Sequence, residues 1–408
     1  MIPFGADGRL VVAGAGLAAV RTVQQLRRRG HRGPVVMLAA ERHAPYDRPP
    51  LSKAVLHGRR DETFLRFDAA ALEVDLRLGQ PADGLDVARR VVLAGDAEIP
   101  FDRLVIATGA DPVRLPGDGP QATLRTIDDA LALRDQFRPG RRVVIIGASW
   151  IGAEVATAAL ARGCLVTCLE SGPAPLAGAL GTELGASFLP WWRDVDLRRG
   201  VQVAAVRPGR VELADGSTVA AELVVTGVGV RPSTGWLAGS GIGLDRGVLV
   251  DEHLRTSVPD IVAVGDVAAR WSPRNQARLR VEHWTDAGGA GQAAADTLLA
   301  DTLLADTLLT ATPDARPGYD PVPYFWSDQF GHKLQYVGWH AAADVPIERA
   351  AGAAAGRTVT WIDRAGRITA VLTVDRPREA AAAQQLIAAG RVVAEELWAD
   401  ASVSLTAE

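Results

Sequence analysis

The chain has 408 residues, of which 48% are hydrophobic and 23% charged, and its formal net charge at pH 7 is −4. This length predicts two or three domains with ample core, and the slightly acidic balance argues against a nucleic-acid-binding protein. No run approaches the roughly 18 apolar residues of a membrane helix, and residues 1–9 lack the apolar centre of a signal peptide. A cytoplasmic protein with no membrane span is therefore expected.

The two cysteines, Cys164 and Cys168, are too few for a disulfide framework. They lie four residues apart in a predicted strand, which separates them by about 13 Å, too far for a disulfide. The seven histidines show no spacing typical of metal ligands. We expect two buried free thiols and no metal site.

The N-terminal region has the pattern of a βαβ unit. An apolar strand over residues 10–13 leads into a turn with Gly14 and Gly16, then a helix to about residue 30 and a strand over 35–38. The two glycines let the backbone approach a pyrophosphate at the helix N-terminus, and Glu41 can hold ribose hydroxyls. The pattern predicts a dinucleotide site.

A second βαβ unit begins about 130 residues later, with a strand over 142–146 and a turn containing Gly147 and Gly152. Ser149 replaces the middle glycine of the fingerprint, and its hydroxyl is expected to compensate by donating to a phosphate oxygen.

Glu170 ends the second strand of this unit, and no Arg or Lys occurs between residues 171 and 192. A 2′-phosphate needs an arginine and is repelled by a carboxylate. The second site is therefore expected to prefer NADH to NADPH.

The order of the remaining strands predicts how the domains are connected. Short buried strands ending in glycine or aspartate occur at residues 103–109 and 260–266, on both sides of the second βαβ unit. We predict a first dinucleotide domain (1–115 and 237–312) interrupted by a second (116–236), and a C-terminal α+β domain (313–408). A five-residue repeat over 296–310 is interpreted as a tandem duplication that lengthens a helix, with a new hydrophobic contact surface as the alternative.

The segment 45–53, Pro-Tyr-Asp-Arg-Pro-Pro-Leu-Ser-Lys, is stiffened by three prolines. It is either a surface loop with solvated cations or a rigid segment that fixes Arg48 and Lys53 against an anionic cofactor. Together with motifs at 106–110, 124–129, 227–232, 263–266, 281–284 and 325–329, it resembles the FAD-dependent ferredoxin and rubredoxin reductases of oxygenase and cytochrome P450 electron-transfer chains.

This resemblance implies a glutathione-reductase-like α/β fold, with an NADH-binding domain inserted in an FAD-binding domain and followed by the α+β domain. It implies FAD contacts at Gly14, Gly16, Glu41, Arg48, Lys53, Ala82, Arg125, Asp266 and Trp284. It implies NADH contacts at Gly147, Ser149, Gly152, Glu170 and Gly229. Alternatively, Asp266 is a helix N-cap and Trp284 a core residue.

The resemblance further implies a catalytic pair, Lys53 with Glu154, beside the flavin N5 atom. The alternative is an exposed lysine and a carboxylate that favours a helix N-terminus. Lys53 and Lys333 are the only lysines of the chain, which hints at a specific role for Lys53.

The expected activity is electron transfer from NADH through FAD to a [2Fe-2S] ferredoxin, by a monomer or weak dimer. The chain has no cysteine near the segment 45–53, so no protein thiol can relay the electrons. Arg274, Arg278, Arg280 and Lys333 are a hypothetical docking patch for an acidic ferredoxin. An NADH oxidase or diaphorase, and a redox-gated binding protein of the apoptosis-inducing-factor type, are the alternatives.

Overall fold

A computed structural model describes residues 7–306, 317–349 and 356–392. The helices are α1 (Leu17–Arg28), α2 (Ile127–Gln136), α3 (Trp150–Ala161), α4 (Ala177–Leu180), α5 (Thr182–Ala186), α6 (Trp284–Asp306) and α7 (Pro377–Ala388). The strands are β1 (Leu10–Ala13), β2 (Val35–Ala39), β3 (Val74–Leu78), β4 (Gly84–Asp86), β5 (Val91–Ala94), β6 (Ala97–Pro100), β7 (Arg103–Ile106), β8 (Ala110–Pro112), β9 (Arg142–Ile146), β10 (Leu165–Glu170), β11 (Asp196–Arg199), β12 (Val203–Arg207), β13 (Arg210–Leu213), β14 (Thr218–Ala220), β15 (Leu223–Thr226), β16 (Val230–Pro232), β17 (Val248–Val250), β18 (Ile261–Ala263), β19 (Ala268–Ser272), β20 (Ala277–Leu279), β21 (Tyr324–Gln329), β22 (His332–Gly338), β23 (Val345–Arg349), β24 (Arg357–Ile362) and β25 (Ile368–Val374).

The first parallel sheet has the strand order β18-β7-β1-β2-β3. Its central strands β1 and β7 are fully buried, and all their residues except Arg103 are apolar, because helices cover the sheet, as parallel sheets require. β18 pairs with β7 in parallel register although more than 150 residues separate them. The chain therefore leaves this sheet and returns to it, as the sequence analysis expected.

The second parallel sheet has the order β11-β10-β9-β15, and α3 connects β9 to β10. The C-terminal part forms an antiparallel sheet, β21-β22-β25-β24-β23, against which α7 packs. These sheets confirm the predicted class of two Rossmann-like units and a C-terminal α+β region. The exact domain boundaries stay a prediction.

Helices α1 and α6 pack against each other with their backbones in close contact at Gly291. A Cβ atom added to Gly291 would lie 2.3 Å from the carbonyl oxygen of Ala18. Only a glycine therefore allows this approach, which sets the N-terminus of α6 beside that of α1. α6 runs into the five-residue repeat as far as Asp306, whereas residues 307–310 of the repeat lie outside the described residues.

In the described ranges, no helix combines the length and apolarity needed to span a bilayer.

A buried ion pair joins the two separated parts of the first sheet. The Arg103 guanidinium on β7 lies 2.8 Å from Asp260, which precedes β18, and their side chains are 1% and 4% exposed. Arg90 contacts the other carboxylate oxygen of Asp260 at 3.1 Å. Asp260 has φ +74°, a conformation that Asp and Asn tolerate best among non-glycine residues. The ion pair thus fixes β18 beside β7, where the chain returns to the first sheet.

Replacing Asp260 with asparagine keeps the left-handed backbone and removes the charge that compensates Arg103. Removing one partner of a buried pair is costly, so Asp260→Asn is expected to lower the free energy of unfolding by about 3 kcal/mol. Urea unfolding followed by circular dichroism measures it. The matched control is Glu98→Gln in the exposed Arg89–Glu98 pair, which should change little. Equal losses of unfolding free energy from Asp260→Asn and Glu98→Gln would contradict this role of the Arg103–Asp260 pair.

Candidate active site

A cavity of about 1190 Å³ opens at the carboxyl ends of the first sheet. Residues that follow β1, β2, β7 and β18 line it, as do residues from the segment 45–53, α3 and β21. This is the edge at which parallel α/β sheets bind ligands, and the volume exceeds the roughly 300–1,000 Å³ of ordinary ligand pockets. The lining includes all nine residues predicted to contact FAD: Gly14, Gly16, Glu41, Arg48, Lys53, Ala82, Arg125, Asp266 and Trp284.

The glycine turn after β1 is shaped for close approach of a ligand. Gly14 has φ +119°, and a Cβ atom there would lie 2.1 Å from the Ala107 carbonyl oxygen. Gly16 is the N-cap of α1; it has no side chain to accept from the first amides of the helix, and it faces open space. The turn therefore leaves helix N–H groups and room for an anion, which fits a dinucleotide diphosphate.

A polar cluster fixes the carboxylate expected to hold a ribose. Glu41 accepts from Arg48 Nη2 at 2.7 Å and from the Tyr46 hydroxyl. Arg48 also donates to the Arg125 carbonyl oxygen at 2.6 Å. Burial raises the pKa of Tyr46, so its hydroxyl stays a donor. No role was predicted for Tyr46, because a tyrosine in this proline-rich segment carries no sequence signal of its partner.

The Lys53–Glu154 pair lies in the cavity wall. Lys53 Nζ is 2.8 and 2.9 Å from the two carboxylate oxygens of Glu154, whose side chain is 4% exposed. Ser52 donates to Oε2, and Ser327 donates to Oε1 at 2.6 Å. The pairing suggested by the resemblance is thus present, and the alternative of an exposed, solvated Lys53 is wrong.

Neither structural alternative for Asp266 and Trp284 describes their positions. Asp266 accepts from Arg125 at 2.7 Å and makes no helix-capping bond. Trp284 is 38% exposed, and its indole N–H donates to Asp47 at 2.8 Å. Trp284 is the first residue of α6, so the positive end of this helix points at the cavity.

Four of the five predicted NADH contacts, Gly147, Ser149, Gly152 and Glu170, lie on the second βαβ unit, and Gly229 lies in the loop between β15 and β16. All five are outside the lining of this cavity. The expected role of the Ser149 hydroxyl is wrong. It donates to the Gly227 carbonyl oxygen at 2.7 Å and accepts from Gly152 N at 3.2 Å. Its single proton is therefore committed to the neighbouring loop and is not offered to a phosphate.

Two backbone amides hold the Glu170 carboxylate. It accepts from Ala148 N at 2.7 Å and from Gly172 N at 2.6 Å. Strand pairing also sets Arg199 opposite Glu170, and its guanidinium donates to the Pro173 carbonyl oxygen at 3.0 Å. Arg199 lies beyond residues 171–192, the stretch without Arg or Lys, so it was not predicted as a neighbour of Glu170.

Aromatic side chains from three parts of the chain surround the end of the cavity at which α6 begins. Trp150 packs edge-on against Phe325 with ring centroids 4.8 Å apart, and His283 lies 4.6 Å from the same ring. Trp284 approaches Trp326 edge-on at 6.5 Å. These contacts were not predicted, because nothing local to each residue indicates a partner in so distant a segment.

The hypothetical docking patch is not one surface at the cavity. Of its four cations, Arg280 alone lines the cavity, and it pairs with Glu282. Arg274 donates to carbonyl oxygens of α7, and Arg278 donates to the Val250 carbonyl oxygen.

The cysteines are free and buried, and burial raises the pKa of both thiols. Among the described residues, no group of three or more His, Cys, Asp or Glu side chains is arranged to hold a metal ion.

His283 makes the stability of the protein depend on pH. Burial lowers its pKa from 6.5 to about 4, and none of the described residues forms a hydrogen bond with its Nδ1 atom. The unfolded chain therefore binds a proton at pH values where the folded chain does not, and stability is lost as the pH falls from 6.5 to 4. The substitution His283→Phe should reduce the loss of unfolding free energy between pH 7 and pH 4 by about 3 kcal/mol. Unfolding measured at pH 7 and pH 4 tests it; parallel pH profiles for both proteins would contradict it.

Comparison with known proteins agrees with this geometry. Residues 8–291 match the family model described as pyridine nucleotide-disulphide oxidoreductase, and residues 324–407 match that described as reductase C-terminal. The ferredoxin–NAD(+) reductase component of the anthranilate 1,2-dioxygenase system of Burkholderia cepacia is 36% identical over 97% of this chain and 98% of its own. Rhodocoxin reductase of Rhodococcus erythropolis is 33% identical over 97% and 93% of the two chains.

Solved structures agree over the same extent. The structure of Fdr9 is 53% identical, with a TM-score of 0.93 over 98% of this chain and 100% of that chain. The reductase in the covalent putidaredoxin reductase–putidaredoxin complex is 30% identical, with a TM-score of 0.90 over 98% of both chains. The chain is an oxidoreductase and belongs to the ferredoxin reductases of the pyridine nucleotide-disulphide oxidoreductase family.

Proposed function

We propose that this protein binds FAD, oxidises NADH and passes the electrons to a [2Fe-2S] ferredoxin that serves a cytochrome P450 or a Rieske oxygenase. The observation that carries the proposal is that all nine residues implied by the resemblance as FAD contacts line one cavity, which also contains Glu154, the partner of Lys53. Relatives named as components of dioxygenase systems, and a structure containing putidaredoxin, support the ferredoxin as acceptor.

The residues of the cavity fit FAD. The open space at Gly16 and the uncapped N-terminus of α1 suit the diphosphate, and Glu41 lies just after β2, where it can accept from ribose hydroxyls. Asp266 and Trp284 line the same cavity and would contact the other end of the cofactor. When bound, FAD supplies two-electron chemistry towards NADH and one-electron chemistry towards an iron–sulfur partner.

The protein's own groups would orient the reactants and hold charge. Lys53 brings a cation to the cavity wall, and Glu154 keeps that cation in place and neutralises it. The N-terminus of α6 offers a positive dipole end to negative charge at the cofactor. The aromatic side chains around Phe325 exclude water from this end.

Glu170 supports a preference for NADH. Two amides fix its carboxylate at the end of β10, where a dinucleotide ribose is bound in this type of unit. A 2′-phosphate at that place would be repelled. Arg199 lies opposite Glu170, and it is the residue expected to contact the 2′-phosphate if NADPH is bound.

The first test is cytochrome c reduction by the purified protein, with NADH or NADPH and with or without a [2Fe-2S] ferredoxin. We expect strong dependence on ferredoxin with NADH, and a rate with NADPH lower by at least about tenfold, the equivalent of 1.4 kcal/mol. Non-covalently bound FAD, identified by chromatography of the flavin released on denaturation, is expected in the same preparation.

Other outcomes would point to the alternative functions. Rapid turnover in air without ferredoxin would favour an NADH oxidase or diaphorase. An NADH-induced change in sedimentation with negligible ferredoxin reduction would favour a redox-gated binding protein. We expect the protein to be a monomer or weak dimer whose oligomeric state does not change when NADH is added.

Lys53→Met should slow the reduction of bound FAD by NADH on the order of a hundredfold. The variant removes the cation that orients the reactants and leaves Glu154 as an uncompensated buried carboxylate. Stopped-flow absorbance measures the rate. Lys333→Met is the matched control, because it removes the only other lysine from an exposed position outside the cavity lining. Equal rates in the two variants would exclude the role of Lys53.

A further inference from the structure

Three segments that are distant in sequence meet at the Glu154 carboxylate. Ser52 and Lys53 come from the proline-rich segment, Glu154 from α3, and Ser327 from β21 of the C-terminal region. Asp328 N also approaches Oε1 at 3.2 Å. The C-terminal sheet therefore contributes directly to the wall of the cavity.

We propose that Ser327 is a positioning residue: it holds the Glu154 carboxylate in the orientation that pairs with Lys53 and so couples the C-terminal region to electron transfer from NADH. This inference rests on the proposed function, because it assigns the coupling to that same site.

The hydrogen bonds around Ser327 give its proton a defined direction. Gln329 Nε2 donates to Ser327 Oγ at 3.0 Å, so the hydroxyl accepts there and has one proton left to donate. That proton goes to Glu154 Oε1 at 2.6 Å. Hydrogen bonds to a charged acceptor are shorter and stronger than neutral ones, so this contact restrains the carboxylate effectively.

The two serines act on opposite oxygens of Glu154. Ser52 donates to Oε2 and Ser327 to Oε1, while Lys53 Nζ lies nearly equidistant from both oxygens, at 2.9 and 2.8 Å. When one serine donor is lost, only one carboxylate oxygen is still held by a serine. The carboxylate can then rotate about the Cγ–Cδ bond, away from Lys53. The ammonium is then less well neutralised and less well placed.

The strand that carries Ser327 is fixed by other contacts. Phe330 N donates to Thr157 Oγ1 on α3 at 2.9 Å, and Phe325 packs against Trp150. Removing the hydroxyl of Ser327 should therefore leave β21 in place. The expected effect is on Glu154 and not on the docking of the C-terminal sheet.

The experiment compares FAD-loaded wild-type protein with Ser327→Ala and Ser327→Thr. For the alanine variant we expect reduction of FAD by NADH to slow on the order of tenfold, with a smaller change in KM than in kcat. We also expect a midpoint potential shifted to more positive values, because a less neutralised Lys53 favours the reduced, more negative cofactor. The threonine variant keeps the hydroxyl and should recover both properties.

Ser272→Ala is the matched control. Ser272 is a fully buried serine that donates to a carboxylate, Asp320, at 2.7 Å, but it does not line the cavity. It should lower the unfolding temperature and leave the rate and potential unchanged.

Two results would overturn the inference: a rate and potential of Ser327→Ala equal to those of wild type, or equal impairment of the alanine and threonine variants. Failure of the proposed function is a separate result, since the wild-type protein would then not bind FAD or not be reduced by NADH.

Discussion

The buried Glu154 carboxylate is the charge on which the arrangement of the site depends. An ionised carboxylate away from water is stable only when donors surround it, and removing one partner of such a pair costs about 3–5 kcal/mol. Here the donors are supplied by Ser52, Lys53, Ser327 and the amide of Asp328. Because these groups lie on three separate parts of the chain, satisfying the one carboxylate also fixes the proline-rich segment and β21 against α3.

Close backbone contacts position the two helix N-termini that face the cavity. A side chain at Gly14 would meet the Ala107 carbonyl, and one at Gly291 would meet the Ala18 carbonyl. The first contact positions the turn after β1, and the second brings the N-terminus of α6 beside that of α1. Two positive helix ends therefore face one cavity, an arrangement that favours bound negative charge without placing an unpaired cation there.

Local patterns predicted more of the structure than pairwise contacts did. The two βαβ units could be predicted because each depends on periodicity and glycine spacing within about 30 residues. The role of Ser149 was wrong because its acceptor, Gly227, is 78 residues away. Arg199 was missed because strand register, not sequence distance, sets it opposite Glu170. The Lys53–Glu154 pair came from family resemblance, since neither residue alone indicates a partner 101 residues distant.

The charges of the cavity wall explain why the proposed binding of a diphosphate depends on backbone groups. Among the described residues that line the wall, four are lysine or arginine, and each is paired with a carboxylate: Arg48 with Glu41, Lys53 with Glu154, Arg125 with Asp266 and Arg280 with Glu282. Within each pair the carboxylate cancels much of the cation's field, so the pairs offer little net attraction to a diphosphate. The attraction has to come from helix N–H groups, which reach a ligand only where no side chain intervenes. Gly14 and Gly16 meet that requirement, and the paired side chains remain available for orientation and redox tuning.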